Sequence, residues 1–116
     1  MLELANFIAD NGIKNVLWLT GDVHYNQVIK YKLTTTLYFY EFTAGPLSAG
    51  KFNPSDSDNS PLDDTLNPTI IYRDNPFFNF GLISIEGETG HLELEFMNSE
   101  GDTYPMDFPL SLDPQP

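Results

Sequence analysis

An aspartate and a histidine lie two residues apart where an apolar segment of this chain ends. Residues 16–19 are apolar, Gly21 follows shortly after, and Asp22 and His24 come next. On an extended backbone, side chains at positions i and i+2 point to the same side, so these two could reach one ion. Carboxylate oxygen and imidazole nitrogen suit first-row divalent or trivalent metals. Such an ion polarises a phosphoryl oxygen and activates water, so the residue types indicate a hydrolytic metal site.

The same pattern also fits an ordinary turn. A strand that ends in Gly-Asp can continue into a β-turn, and the ring of His24 could simply bond a backbone carbonyl. Two ligands do not complete a metal site either, because even tetrahedral sites usually have three protein ligands. Metal binding therefore needs further ligands from elsewhere. Gly21 is expected to permit a sharp turn and a close backbone approach.

The elements before this motif form a helix and a strand. Apolar residues recur at helical spacing from Leu2 to Asp10, and Asn11-Gly12 is a good helix stop because glycine adopts the left-handed conformation easily. Residues 13–19 are nearly all apolar, which predicts a strand with both faces covered and with Trp18 in the core. The motif is therefore expected at the end of a buried strand.

The rest of the chain is predicted to be mostly strand. Residues 51–68 are rich in Ser, Asp, Asn and Pro and predict a flexible acidic loop. Residues 91–97 alternate between apolar and acidic, which predicts a half-exposed antiparallel strand. The tail, residues 111–116, is expected to fray. The other predicted extended segments are 25–32 (more polar), 33–43, 69–73, 81–85 and 103–110, and the phenylalanines at 77, 78 and 80 are assigned to the core.

Composition excludes several classes of function. The 116 residues fit one small domain, and 17 acidic against 5 basic residues give a net charge of −12. We therefore expect no nucleic-acid binding through a basic surface and no attraction to anionic membranes. The chain has no cysteine, which excludes disulfides, thiolate metal sites and cysteine nucleophiles. Met1 leads directly into a segment with Glu3 and Asp10, which does not match a secretory signal.

Three segments resemble one known family. Residues 16–25, Val-Leu-Trp-Leu-Thr-Gly-Asp-Val-His-Tyr, resemble the last metal-binding motif of the PhoD-like alkaline phosphatases, a branch of the calcineurin-like metallophosphoesterases. Residues 42–50, Phe-Thr-Ala-Gly-Pro-Leu-Ser-Ala-Gly, resemble the segment after that family's next strand. Residues 79–83, Asn-Phe-Gly-Leu-Ile, are similar to the strand that opens its C-terminal hairpin. The three motifs occur in the family's order, and the resemblance extends over nearly the whole chain.

The resemblance implies a fold and an activity. The fold would be α+β, the C-terminal half of a metallophosphoesterase-type αββα sandwich, mainly strands with one N-terminal helix. The activity would be hydrolysis of small-molecule phosphate esters by metal-activated water, with Asp22 and His24 as ligands of Fe, Ca, Zn or Mn. The family's earlier ligand motifs are absent from this sequence. We therefore expect residues 1–116 to be the C-terminal part of a phosphatase domain, inactive alone, in a family whose members are often secreted or periplasmic.

Other residues carry alternative interpretations. Tyr25 and Asn26 follow the motif and could bind substrate, although they are also ordinary strand or loop residues. His91 could be a metal ligand, but an exposed turn histidine is favoured, and Ser48 lacks the nucleophile-elbow pattern, which favours loop packing. The aspartates 56, 58, 63 and 64 lack the glycine and glutamate of an EF-hand and are expected to be solvated.

A second class of function fits the same sequence. The chain could be a non-catalytic β-rich module that binds a partner through a sheet face or edge. Half of a sandwich leaves apolar faces uncovered, and large exposed apolar patches drive association. We therefore expect a homo-oligomer under either interpretation.

Overall fold

The described residues form one helix and seven strands. The structure is a computed structural model that describes residues 1–54, 64–74, 77–103 and 110–116. In chain order the elements are α1 (Leu2–Asp10), β1 (Leu17–Thr20), β2 (Asn26–Lys32), β3 (Tyr38–Thr43), a 3-10 turn (Asp64–Leu66), β4 (Pro68–Asp74), β5 (Asn79–Ile85), β6 (Leu92–Asn98) and β7 (Leu110–Leu112). The fold is therefore α+β and mostly strand with one N-terminal helix, as predicted.

The helix ends where the sequence predicts. The side chain of Asn11 donates a hydrogen bond to the carbonyl of Phe7 at 2.9 Å. Gly12 has φ +60°, a left-handed conformation that glycine adopts without a steric penalty. Ala5 and Ile8 are buried, whereas the apolar side chains of Leu4 and Phe7 are exposed. The helix therefore buries only part of its apolar surface.

The first sheet holds four strands in the order β1-β3-β2-β4. β1 and β3 are parallel, and β2 is antiparallel to both of its neighbours. β1 is an edge strand with its second half exposed, so the expectation that both of its faces are covered is wrong. The predicted polar segment 25–32 is instead the buried centre of the sheet, because β2 is flanked by a strand on each side.

The second sheet is antiparallel, in the order β5-β6-β7. The predicted alternation on β6 is confirmed, with Leu94 and Phe96 fully buried. Phe78 and Phe80 are each 45% exposed, so their assignment to the core is wrong. Residues 104–109 of the predicted final strand lie outside the described residues.

The layers stack as helix, sheet, sheet. On one face of the first sheet, Ala5 of α1 packs in a cluster with Ile29 and Phe39. On the other face, Val28 and Phe42 pack against the second sheet's Leu94 and Phe96. These two apolar layers hold the central strands β2 and β3 rigid and thereby fix the loops at their ends.

The C-terminal tail is tied to the first sheet. Gln115 donates from its side chain to the carbonyl of Tyr38 at 2.8 Å, and its backbone N–H donates to Asn15 Oδ1 at 2.7 Å. Lys14 Nζ donates to the carbonyl of Pro116. The expectation of a frayed tail is therefore wrong, because specific polar contacts hold it.

Of the predicted loop 51–68, residues 55–63, including Asp56, Asp58 and Asp63, lie outside the described residues; Leu66 is buried, and exposed Asp64 begins the 3-10 turn. Among the described residues, no helix has the length and apolar character that a membrane crossing requires.

Candidate metal and substrate site

The predicted motif lies in a five-residue connection between β1 and β2. β1 ends at Thr20, and β2 begins at Asn26. The parallel partner of β1 ends at Thr43, directly opposite Thr20 in register. The carboxyl ends of parallel strands meet at one edge of a sheet, where α/β proteins commonly bind ligands. The fold therefore brings the motif to an edge that suits a binding site.

Two non-glycine residues of this connection have left-handed backbones. Asp22 has φ +75° and His24 has φ +62°. Such conformations are sparsely populated by residues with side chains, and they cluster at functional sites. Gly21 has no left-handed φ, and a Cβ added there would meet no atom within 4 Å. The expectation that Gly21 provides the sharp turn is therefore wrong, and the turn lies on the two candidate ligands themselves.

Phe52 contacts His24 through both its ring and its backbone. The ring of Phe52 stacks on it with centroids 5.0 Å apart and planes inclined by 12°. The N–H of Phe52 donates to the carbonyl of His24 at 3.2 Å. His24 Nδ1 is buried and has no hydrogen-bond partner among the described residues. The side chain thus has a ring nitrogen that could bind a metal ion.

Asp22 lies two residues before His24 in the chain. Its side chain is exposed, and no hydrogen bond or ion pair joins it to His24 in the described part of the chain. Within residues 1–54, 64–74, 77–103 and 110–116, no three His, Cys, Asp or Glu side chains are grouped closely enough to hold a metal ion. The oxygen and nitrogen donors fit a metal by their chemistry, but they supply only two ligands.

Tyr25 and Asn26 are buried, with 6% and 0% of their surface exposed. The guanidinium of Arg73 lies 5.5 Å from the centroid of the Tyr25 ring. Asn26 Oδ1 accepts a hydrogen bond from the N–H of Gly45 at 3.3 Å, and Asn26 Nδ2 has no partner among the described residues. These contacts place Asn26 between the motif and the loop that follows β3.

A polar cluster beside the motif has no counterpart in the sequence predictions. Thr20 Oγ1 donates to Glu41 Oε1 at 2.8 Å and lies 2.6 Å from Thr43 Oγ1. Tyr31 donates to the other oxygen of Glu41 at 2.8 Å. Alternation of polar and aromatic residues along β3 is the sequence feature that could have indicated it. Phe52 was also missed, although it is a single aromatic residue in a stretch of small and polar ones.

A comparison with known families identifies the chain. A family model described as PhoD-like phosphatase matches residues 2–96, which include α1, β1 to β5 and most of β6. The chain belongs to the PhoD-like phosphatase family. PhoD-like phosphatases are generally metal-dependent, and the matched range of this member includes Asp22 and His24. Searches of curated proteins and of solved structures returned no match.

The other weighed residues of this PhoD-like chain make no described contact with Asp22 or His24. His91 Nδ1 lies 2.8 Å from Asp113 Oδ1, and this hydrogen bond raises the pKa of His91 above its ordinary value. Ser48 is exposed in the loop after β3. A cavity of about 260 Å³ lies at the opposite end of β3, where Tyr38 and Tyr40 line it, and burial raises the pKa of Tyr40. None of these groups adds a ligand beside Asp22 and His24.

Proposed function

We propose that this chain takes part in metal-dependent hydrolysis of small-molecule phosphate esters, with Asp22 and His24 as ligands of one cation. The observation that carries the proposal is the buried Nδ1 of His24, which has no hydrogen-bond partner among the described residues. A buried polar atom without a partner costs free energy, and folded proteins rarely retain one unless an ordered water, an ion or another ligand satisfies it. Membership of the PhoD-like family supports a cation as that ligand.

The chain's own residues would hold the ligand groups in place. Phe52 stacks on the imidazole of His24, which limits its rotation. The left-handed backbone at Asp22 and His24 fixes where both side chains start. A bound divalent or trivalent ion, with Fe, Ca, Zn and Mn as the candidates, would supply Lewis-acid polarisation of the phosphoryl group. Tyr25 and Asn26 would contribute to the substrate-binding wall.

We further propose that residues 1–116 form the C-terminal part of a phosphatase domain, and that the remaining ligands come from outside this sequence. The described residues supply two candidate ligands, which supports this proposal because metal sites usually need at least three. In the parallel pair β1–β3, Val16 O accepts from Tyr40 N, so the backbone groups of Leu17 and Leu19 point away from β3. A strand added at that edge would reach the end of β1 near Asp22.

Metal titration, with a matched control, tests the proposal that Asp22 and His24 are ligands of one cation. The chain has two histidines, and His91 lies in the turn directly before β6 of the second sheet, not in the motif. In calorimetric titrations with Zn²⁺ or Mn²⁺, His24→Ala and Asp22→Asn should each weaken binding at least tenfold, whereas His91→Ala should not. Equal weakening by His24→Ala and His91→Ala would contradict the assignment. In the longest polypeptide that contains this sequence, His24→Ala should also abolish hydrolysis of a chromogenic phosphate ester.

The exposed apolar surface of α1 and β1 favours a second candidate function, a non-catalytic module that associates with a second copy of itself. The exposed fractions are 53% for Leu4, 57% for Phe7 and 62% for Leu19. A strand edge is self-complementary, because two antiparallel copies related by a two-fold axis place N–H groups opposite carbonyls. Charge elsewhere on the molecule, −12 in total, would disfavour other contacts between copies.

Light scattering separates the two candidates. If a second copy covers the α1–β1 surface, the chain should elute as a dimer, and Leu19→Lys should convert it to a monomer. Ile85→Lys is the matched control, since Ile85 is 66% exposed on the second sheet and outside this surface. A concentration-independent monomer would refute the self-association proposal. Zn²⁺ binding that depends on Asp22 and His24 would still support the phosphatase proposal.

A further inference from the structure

Among the described residues, the side-chain amide of Asn26 has a hydrogen-bond partner for its oxygen but none for its nitrogen. The residue begins β2, two positions after His24, and 0% of it is exposed. Its Nδ2 has no hydrogen-bond partner among the described residues. A buried amide nitrogen can only donate, so what would satisfy it is an acceptor oxygen. Because Asn26 is buried and lies two residues after the candidate ligand His24, we expect the missing acceptor to belong to a bound ligand.

The orientation of this amide is fixed by the backbone. The N–H of Gly45 donates to Asn26 Oδ1 at 3.3 Å. Rotating the amide by half a turn would point two donors, Nδ2 and the Gly45 N–H, at each other. The oxygen therefore faces Gly45, and the nitrogen faces away from it.

A second asparagine provides an internal comparison. Asn79 Oδ1 accepts from the same Gly45 N–H at 3.1 Å. Its Nδ2, unlike that of Asn26, donates to the carbonyls of Gly45 and Phe77, at 3.2 and 2.6 Å. Asn79 is thus sufficient to hold Gly45 and is satisfied within the fold. Asn26 makes the longer bond to Gly45, and its Nδ2 has no acceptor in the described part of the chain.

His24 Nδ1 and Asn26 Nδ2 are the two buried side-chain polar atoms without partners among the described residues, and they lie two residues apart. One has a lone pair to offer when the ring is neutral, and the other has a hydrogen to donate. A cation satisfies the first and an anionic oxygen the second. A phosphate group bound together with a cation supplies both.

We propose that Asn26 Nδ2 donates a hydrogen bond to a phosphoryl oxygen of the ligand, and so makes Asn26 a phosphate-binding residue. This rests on the proposed phosphatase function. Asp74 is the register partner of Asn26 on β4, so a lone anion would meet a carboxylate nearby. Phosphate binding at Asn26 is therefore coupled to a cation at Asp22 and His24, which offsets that charge.

The test follows the side-chain NH₂ signals of Asn26 and Asn79 in ¹H–¹⁵N spectra while Zn²⁺ and then inorganic phosphate are added to the chain. We expect phosphate to shift the Asn26 signals and leave those of Asn79 in place. Asn26→Leu, of similar size, should weaken phosphate binding at least about tenfold without changing Zn²⁺ affinity, since hydrogen bonds to charged groups are the stronger class.

The outcomes distinguish this inference from the proposed function. If Zn²⁺ binds at His24 but phosphate does not shift the Asn26 signals, the inference about Asn26 is overturned and the proposed function is not. Failure of both Zn²⁺ and phosphate to bind, in the longest polypeptide that contains this sequence as well as in the chain alone, overturns both. The wild-type spectra decide the matter even if Asn26→Leu does not fold.

Discussion

Replacing Gly81 by alanine tests whether the two sheets pack as closely as described. A Cβ at Gly81 would lie 2.4 Å from Phe42 Cε1, 3.0 Å from Phe42 Cζ and 3.1 Å from the Cβ of Ala44. Phe42 is 3% exposed, and its ring stacks on Phe96 with centroids 4.7 Å apart. The ring cannot rotate away without disturbing that stack, so the added methyl group must push the sheets apart.

The magnitude follows from two opposing effects. Overpacking a close-packed core by a methyl group costs about 1–3 kcal/mol. Replacing glycine also removes freedom from the unfolded chain, which stabilises the folded state by about 0.4–1 kcal/mol. The steric effect is the larger of the two because the shortest contact is 2.4 Å. We expect a net loss of about 1–2 kcal/mol, and a Tm lower by about 3–10 °C in a domain of this size.

Urea unfolding followed by the fluorescence of Trp18, the only tryptophan, measures the effect. Gly87→Ala is the matched control, because a Cβ there meets no atom within 4 Å, and its stability should be unchanged or slightly raised. Adding Phe42→Leu to Gly81→Ala should recover part of the loss, seen as a favourable coupling energy in the double-mutant cycle. Equal stability of Gly81→Ala and Gly87→Ala would refute the close packing of the sheets at this point.

Three smaller predictions follow. Asp113→Asn should lower the pKa of His91 in an NMR titration, because the Asp113 hydrogen bond is the main cause of its elevation; an unchanged pKa would contradict that cause. Since the folded-state pKa of His91 is raised, any stabilisation from this pair is complete below the ordinary value of 6.5 and is lost as the pH rises through the higher folded value, so the effect of Asp113→Asn on unfolding should vanish at high pH. Gly21→Ala should leave thermal stability within about 0.5 kcal/mol, and a larger loss would show a backbone requirement that the conformation does not indicate. Asn79→Ala should cost about 1–3 kcal/mol in urea unfolding, because the carbonyl of Gly45 loses its side-chain donor and the N–H of Gly45 keeps only its longer bond to Asn26, and a neutral result would contradict the described network.

Local patterns predicted the elements whose signals are local. The helix, its stop at Asn11-Gly12 and the alternation on β6 all follow from side-chain periodicity and turn chemistry. The position of β1 could not be predicted this way. An apolar run of this kind suits a central strand as well as an edge strand, and only pairing with distant β3 decides between them. The polar composition of β2 concealed a buried strand because Asn26 and Gln27 bond to other elements.

In the site, too, the contiguous residues could be predicted from the sequence and the distant ones could not. The motif containing Asp22 and His24 was found from spacing and from resemblance, because it is contiguous in sequence. Phe52 and Asn79 join it through long-range contacts, which the spacing of residues cannot indicate. The left-handed backbone of Asp22 and His24 could not be predicted either, because local rules assign such a conformation to the neighbouring glycine, Gly21.

The central claim is that His24 uses its buried ring nitrogen to hold a cation together with Asp22. The most direct measurement is the ¹⁵N chemical shift of both histidine rings while Zn²⁺ is added to the wild-type chain and to Asp22→Asn. The account predicts that Zn²⁺ shifts Nδ1 of His24, leaves His91 unaffected and loses affinity in Asp22→Asn. A His24 ring that does not respond to Zn²⁺, or that responds no more than His91, would contradict it.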